Sequence, residues 1–400
     1  MPGIAKRIYE RDIIDICKMW NKQLKTIEKV LPQYYSSEDI ISLLKNFYPH
    51  EWYSVQVKYE YYTTKDKHLK RIKGKTRYNM EIPEKLIKQS QVFKKISSSV
   101  FKKTHSQSFN QDTVDREYQQ LWKKRESKIE KINVKIEKAK LKTQQVTPNF
   151  LDKLIGLYER KNTTQKDKMY ILLELKKYYN PNIIKFFFKL NDTEINRQLR
   201  ETAFYHLQSF NYQPRLRRQK YIQVHTQNKN IKEYLKKDYA FQTFEIPLNP
   251  DELEYRIKNS LDQNFKNYDY FISHSSKDSK LVQNLILHLN SKGKNVYCDW
   301  ISDSDYLKRD LVREATLKVI EKRLEQSKSV LFVNSNYSIE SIWCKYELNY
   351  FSETGRPIFQ INISDIEKEN YDVTELNDKW FYDKDYKTLA LLNNTADNRN

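Results

Sequence analysis

The sequence predicts a multidomain chain: a mainly helical, basic N-terminal region followed by an α/β domain built on a parallel sheet. Three observations carry this. From Asn267 onward, four short apolar runs alternate with helical patterns. Upstream, between residues 167 and 211, apolar stripes recur at helical spacing and are broken at Asn180-Pro181. Charge is also divided unevenly: residues 1–250 carry 51 Lys/Arg against 27 Asp/Glu, and residues 251–400 carry 21 against 25. Genome-wide drift toward lysine would affect both parts, so the basic part is expected to face something acidic, a nucleic acid or an acidic protein.

Bulk composition excludes several classes. No apolar run approaches the ~20 residues that span a bilayer, and the N-terminus lacks the pattern of a signal peptide. A cytoplasmic protein without membrane partners is expected. Three cysteines are too few for a disulfide framework, and none forms a C-x-x-C pair. The seven histidines are scattered, so no metal site is expected. Five glycines cannot build a glycine-rich phosphate loop.

In the N-terminal region, Ile13, Ile14, Cys17, Met19 and Trp20 fall near helical spacing. Ser36–Phe47 opens on Ser-Ser-Glu-Asp, an N-cap followed by an acidic first turn. Trp52–Tyr62 alternates and is rich in Tyr and Val, which reads as a strand. Residues 63–110 hold few large apolar side chains and are expected as exposed, partly mobile loops. Val114–Gln144 reads as a long, solvent-exposed helix. Three amphipathic helices follow, marked by Leu172, Leu173 and Leu175, then Ile183, Ile184 and Phe187, then Ile195, Leu199, Ala203 and Leu207. Asn191-Asp192 is the expected cap of the third. The run Asp192, Arg197, Ala203, Leu207 loosely resembles one HEAT-type repeat, too little for a solenoid. Pro214–Lys220 is a basic cluster flanked by Tyr212 and Tyr221, which suits either a nucleic-acid backbone or a solvated linker.

In the C-terminal part, the strands are expected at Tyr268–Ile272, Asn295–Cys298, Ser329–Val333 and Pro357–Ile363. Helices are expected at Asp278–Asn290, Leu307–Leu324 and Ile339–Phe351. Parallel sheets of this kind bind ligands at the carboxyl ends of their strands. Here those ends are polar: Ser273-His274-Ser275-Ser276, Asp299-Trp300 and Asn334-Ser335. Trp343 and Glu347 lie four apart on the last helix, hence on one face about 6 Å apart along the axis. Ile339, Ile342, Tyr346 and Tyr350 mark its buried side, which leaves Glu347 at the margin of the core.

Four segments, YDYFISHSSKD (268–278), VYCDW (296–300), SIWCKYELNYF (341–351) and RPIFQI (356–361), together resemble a Toll/interleukin-1 receptor (TIR) domain of the bacterial, NAD-cleaving type. The resemblance covers about 120 residues and implies a flavodoxin-like α/β fold. It implies an NAD+ nucleosidase, with NAD+ as substrate and no cofactor, in which Glu347 is catalytic. A carboxylate there stabilises the ribose cation formed when the nicotinamide bond breaks. It further nominates Phe271, Ser273, His274, Ser276, Asp299 and Trp343 as substrate-binding. Phe271 and Trp343 also suit core packing, Asp299 a turn cap and His274 a structural hydrogen bond. The segment after the second strand, WISDSDYLKRD, lacks the glycine or proline that often marks a gating loop in this family.

The expected division is 1–250 as a helical sensor with a sub-boundary near 110–150, 251–266 as linker, 267–390 as the TIR domain and 391–400 as tail. The expected activity is NAD+ hydrolysis in prokaryotic antiphage defence, switched on when TIR domains self-associate. A cyclase producing a cyclic ADP-ribose messenger and a non-enzymatic assembly scaffold are the alternatives.

Overall fold

The computed structural model describes residues 4–216, 219, 222–307 and 313–376. They form two compact units, Met1–Glu137 with Gln208–Gln213, and Lys138–Leu207 with Pro214 onward.

The first unit is helical: α1 Ile4–Ile27, α2 Ser37–Phe47, α3 Pro49–Lys73, α4 Pro83–Leu86, α5 Gln91–Ser97, α6 Ser99–Gln107, and most of α7 Gln111–Lys140. The α2 start is as read from sequence: Ser36 caps the N–H of Asp39, and the Asp39 carboxylate accepts the Ser36 N–H at 2.8 Å. The strand expected at Trp52–Tyr62 lies inside α3. Pro49 starts that helix and Gly74, at φ 69°, ends it. Trp52, Val55 and Tyr62 are buried on one helical face, so packing overrides their β preference. Residues 63–110 are mostly helical rather than loops, apart from the irregular stretch 74–82. Ser90 and Ser98 cap the short helices α5 and α6, and Val92, Phe93 and Ile96 join Trp20, Leu24 and Leu44 in one core. The long helix α7 is mostly exposed; Leu121 and Arg125 are its buried residues among those described.

The second unit begins with α8 Phe150–Glu159, α9 Gln165–Leu175, α10 Pro181–Thr193 and α11 Arg197–Ser209. Asn180 caps α10, with Pro181 at its first position. The α11 cap is Asn196, whose Oδ1 accepts the Leu199 N–H at 3.1 Å. Asn191 and Asp192, expected there, are buried in the last turn of α10. In the Pro214–Lys220 cluster, Arg217, Arg218 and Lys220, with the neighbouring Tyr221, lie outside the described residues. Next come α12 Lys229–Tyr234, a π-helical turn Leu235–Tyr239, α13 Pro250–Asn259 and α14 Leu261–Asn264.

The sheet follows: β1 Tyr268–Ser273, α15 Ser279–Ser291, β2 Val296–Tyr297, α16 Asp299–Ser302, α17 Glu314–Glu325, β3 Ser327–Asn334, α18 Asn336–Ile339, α19 Ile342–Ser352, β4 Ile358–Asn362, α20 Ile363–Glu367 and β5 Thr374–Glu375. Strand order is β2-β1-β3-β4-β5. The first four strands run parallel, as the sequence predicts, and β5 adds an antiparallel edge of two residues, too short to show a period. Residues 308–312 of the expected second helix, residues 377–390 and the tail lie outside the described residues. Alternation along β3 sends Val330 and Phe332 to the face covered by α17 and α19, and Leu331 and Val333 to the face covered by α15 and α20.

Residues 251–266, read from sequence as a linker, are helical and packed. Leu253 and Ile257 share a core with Tyr306 and Val319. Beside them lies a buried ionic network. Glu174 pairs with Lys177 at 3.0 Å and Lys266 at 2.5 Å. Arg323 donates to both oxygens of Asp303, at 2.8 and 3.2 Å, and to Gln263 Oε1 at 2.8 Å. Gln144 closes the free edge of β2: its Oε1 accepts the Val296 N–H at 3.1 Å and its Nε2 donates to the Val296 carbonyl at 2.6 Å. The helical segment from 138 and the sheet are therefore one packed body. Among the described residues no helix is long and apolar enough to cross a membrane.

Candidate active site

Because β1 to β4 are parallel, their carboxyl ends share one edge of the sheet. Ser273, the last residue of β1, points to the same face as Phe271 and is fully buried. The helix α19 crosses that face, with Cys344, Leu348 and Phe351 in its core. Glu347 lies on the same helix, and the Ser273 hydroxyl donates to its Oε2 at 2.6 Å. Two residues 74 positions apart thus meet at the strand ends, as the sequence reading requires of a site.

The electrostatics of Glu347 are unusual. Burial raises its pKa, the nearby Asp299 charge raises it further, and only the Ser273 hydrogen bond opposes them, leaving it at about 8. Glu347 is half-buried as a residue. Among the described residues no cation offsets its charge. Cys344, one turn earlier, is held protonated by burial and by the Glu347 charge, its pKa pushed up to about 12. Cys298 at the end of β2 is likewise driven well above the ordinary thiol range by burial and by Asp299. Both are free thiols.

The second wall comes from the ends of β1 and β2. His274 Nδ1 lies 3.2 Å from the Ile272 carbonyl, and its Nε2 accepts the Trp300 indole N–H at 3.0 Å. This pair of contacts places the ring proton on Nδ1. Asp299 is exposed in the first turn of α16, where its Oδ1 accepts the Trp300 backbone N–H at 2.8 Å. His274, Cys298 and Asp299 bring one atom each within 4.8 Å of one another. Hydrogen bonds link the trio to its surroundings: both His274 ring nitrogens have partners, and the Cys298 thiol faces Asp299 Oδ1 at 4.0 Å.

The other nominated residues sit differently. Phe271 is in the core, stacked on Tyr297 with ring centroids 4.9 Å apart, and lines the site only from beneath. Trp343 is partly buried against the same core. Ser276 is exposed in a 3-10 turn after β1. Three residues outside the nominated set support the site. Trp300 orients His274. Asp278 accepts the Ser335 hydroxyl at 2.6 Å and so ties the loop after β1 to the end of β3. Cys344 packs under the carboxyl. Trp300 was within reach of sequence reasoning, since it follows Asp299 at a polar strand end.

Residues 271–389 match the TIR domain family. The Glu347 carboxyl on α19, held by the last residue of β1, thus lies within a TIR domain. Along 365 residues the chain is 37% identical to "Putative cyclic ADP-D-ribose synthase TIR2" of Cytobacillus dafuensis, covering 91% of this chain and 93% of that protein. Over 121 residues, 29% of this chain and 61% of the relative, it is 34% identical to "Probable 3' cyclic ADP-D-ribose synthase ThsB'" of Bacillus cereus (strain MSX-D12). The chain belongs to the bacterial TIR-domain proteins that include the first of these, and the likeness extends through its helical region. No solved structure matches it.

Proposed function

We propose that this protein cleaves the bond between nicotinamide and ribose in NAD+, with Glu347 as the catalytic carboxylate. The observation that carries the reading is the Glu347 carboxyl itself: desolvated, hydrogen-bonded by Ser273 at the strand ends and, among the described residues, without a counter-cation. In that setting the positive nicotinamide ring favours the ionised form of Glu347 on binding. As the bond breaks, positive charge moves to the ribose, and a carboxylate in a poorly solvated site stabilises it strongly. Ser273 holds the carboxylate in place as a positioning residue. Nicotinamide leaves with the bonding electron pair, and the ribosyl cation is captured by a nucleophile.

The nucleophile decides the product. Water would give ADP-ribose, the hydrolase outcome expected from the sequence. Attack from within the same molecule would give a cyclic ADP-ribose. The names of both relatives favour cyclisation. Self-association of TIR domains is the proposed switch, and the basic N-terminal region the proposed reader of an acidic trigger, in a role suited to antiphage defence.

The test incubates purified full-length protein with NAD+, with and without candidate activators, beside Glu347→Ala. Chromatography and mass spectrometry follow NAD+ and both products. Loss of NAD+ in the wild type alone supports the reading. Equal loss in both proteins removes Glu347 from the chemistry, and no loss under any activator favours the scaffold alternative.

A further inference from the structure

The helical part of the second unit holds a cavity that NAD+ cleavage leaves unused. Its volume is about 770 Å³, within the range of ~300–1,000 Å³ usual for small-molecule sites. The loop between α8 and α9, the end of α10 and the π-helical turn form its walls. It shares no lining residue with the Ser273–Glu347 site.

Its charge is unbalanced. Lys161, Lys166, Lys168 and Lys189 line it, against Glu159 and Glu194. Glu159 is taken by Lys189 at 2.5 Å. Glu194 is buried and already occupied: its carboxyl accepts the Tyr158 hydroxyl at 2.7 Å and the backbone N–H groups of Ile195 and Asn196 at 2.9 and 3.1 Å. Lys168 stands 3.9 Å from Glu194 and donates to the Tyr239 hydroxyl at 3.2 Å. An ammonium has three donors, so one remains beyond the Tyr239 hydrogen bond and the Glu194 ion pair. Lys161 and Lys166 are exposed at the rim. Aromatic surface lies beside these cations: the half-exposed Tyr234 precedes the π-helical turn and Tyr239 is its last residue. Such turns are concentrated at functional sites, because the wider backbone ring costs stability without a local gain.

We propose that this cavity binds a nucleotide of the nucleoside diphosphate class. Its phosphates lie on Lys161, Lys166 and Lys168, and its base stacks on the tyrosines of the π-helical wall. Lysine ammoniums act as point charges for phosphate, and aromatic faces accept any base. The inference does not rest on NAD+ cleavage.

Calorimetric titration of ADP into the full-length protein tests it, beside adenosine, the Glu347→Gln variant and the double variant Lys161→Glu/Lys166→Glu. Both lysines are exposed, so reversing their charge leaves the packing intact. The expected result is an ADP site retained in Glu347→Gln, weakened at least about tenfold in the double variant, and not filled by adenosine. No ADP binding at millimolar concentration, an affinity unchanged in the double variant, or adenosine binding as tightly as ADP would each overturn the proposal.

Discussion

The second unit buries charge in two places, with opposite results. In the network at Glu174, Lys177, Lys266, Asp303 and Arg323, every group is desolvated and has an opposite charge beside it. Burial pushes Glu174 up, but Lys177 and Lys266 outweigh it and hold the carboxyl at about 2. Asp303 is held low in the same way, chiefly by Arg323. At the strand ends, burial and Asp299 push Glu347 up to about 8 with only a hydroxyl to oppose them. Burial is common to both, and the counter-charge decides the outcome. The compensated cluster joins helices α9, α14 and α17 to the sheet. The uncompensated carboxyl is left able to respond to a cation that arrives from outside.

The largest expected effect is on the compensated side. Arg323→Met strips Asp303 of its fork and should cost about 3–5 kcal/mol in urea unfolding. A near-neutral result would mean that the network does not hold the fold. Next, Glu347→Gln should lower NAD+ cleavage by about 10²–10³-fold, the size of effect seen when one transition-state contact is lost, while the protein stays folded by circular dichroism. Ser273→Ala removes the one contact that lowers the Glu347 pKa. The rising limb of the pH–rate profile should then move to higher pH, with about tenfold lower activity at pH 7 and partial recovery above pH 8. An unmoved profile would separate Ser273 from the carboxylate. The smallest effect belongs to Trp300→Phe, which frees His274 from its indole donor. A loss of about 1 kcal/mol in NAD+ binding, read as a raised KM, is expected, with stability little changed.

The sheet was legible because its strands are apolar runs ending in polar residues. The stripe read for α19 was right only at Tyr346: Ile342 is exposed, Ile339 and Tyr350 are partly buried, and Cys344, Leu348 and Phe351 form the core face, so Glu347 was legible through the resemblance of its motif rather than through the stripe. The Ser273–Glu347 contact was only implied, since parallel pairing had to bring β1 beside β3 first. Trp52–Tyr62 misled because Tyr and Val favour strands, although Trp52, Val55 and Tyr62 also share a helical face; tertiary burial chose the helix. Residues 63–110 misled because their short capped helices add only a few apolar residues each to a core built mostly by α1 to α3. The ionic network was hidden for a different reason. Glu174, Lys177, Lys266 and Arg323 read singly as solvated side chains, and nothing local shows that each meets its counter-charge. The same blindness made 251–266 look like a linker. The cavity under α9 was missed because its lysines were counted only toward the net charge.

The difference between the two buried sites is tested most directly by the stability of Glu347→Gln relative to wild type, measured by urea unfolding from pH 5 to pH 9. Above the unfolded carboxyl's pKa near 4.5, the unfolded chain releases the proton that folded Glu347 keeps until about pH 8. Folding then takes up a proton, so wild type loses stability as pH rises through this window. The account predicts near-equal stability at the acid end. It predicts a growing advantage for the variant, on the order of a few kcal/mol, that levels off above pH 8. A difference that stays flat across this range, or one that favours wild type as pH rises, would contradict a desolvated Glu347 without a counter-charge.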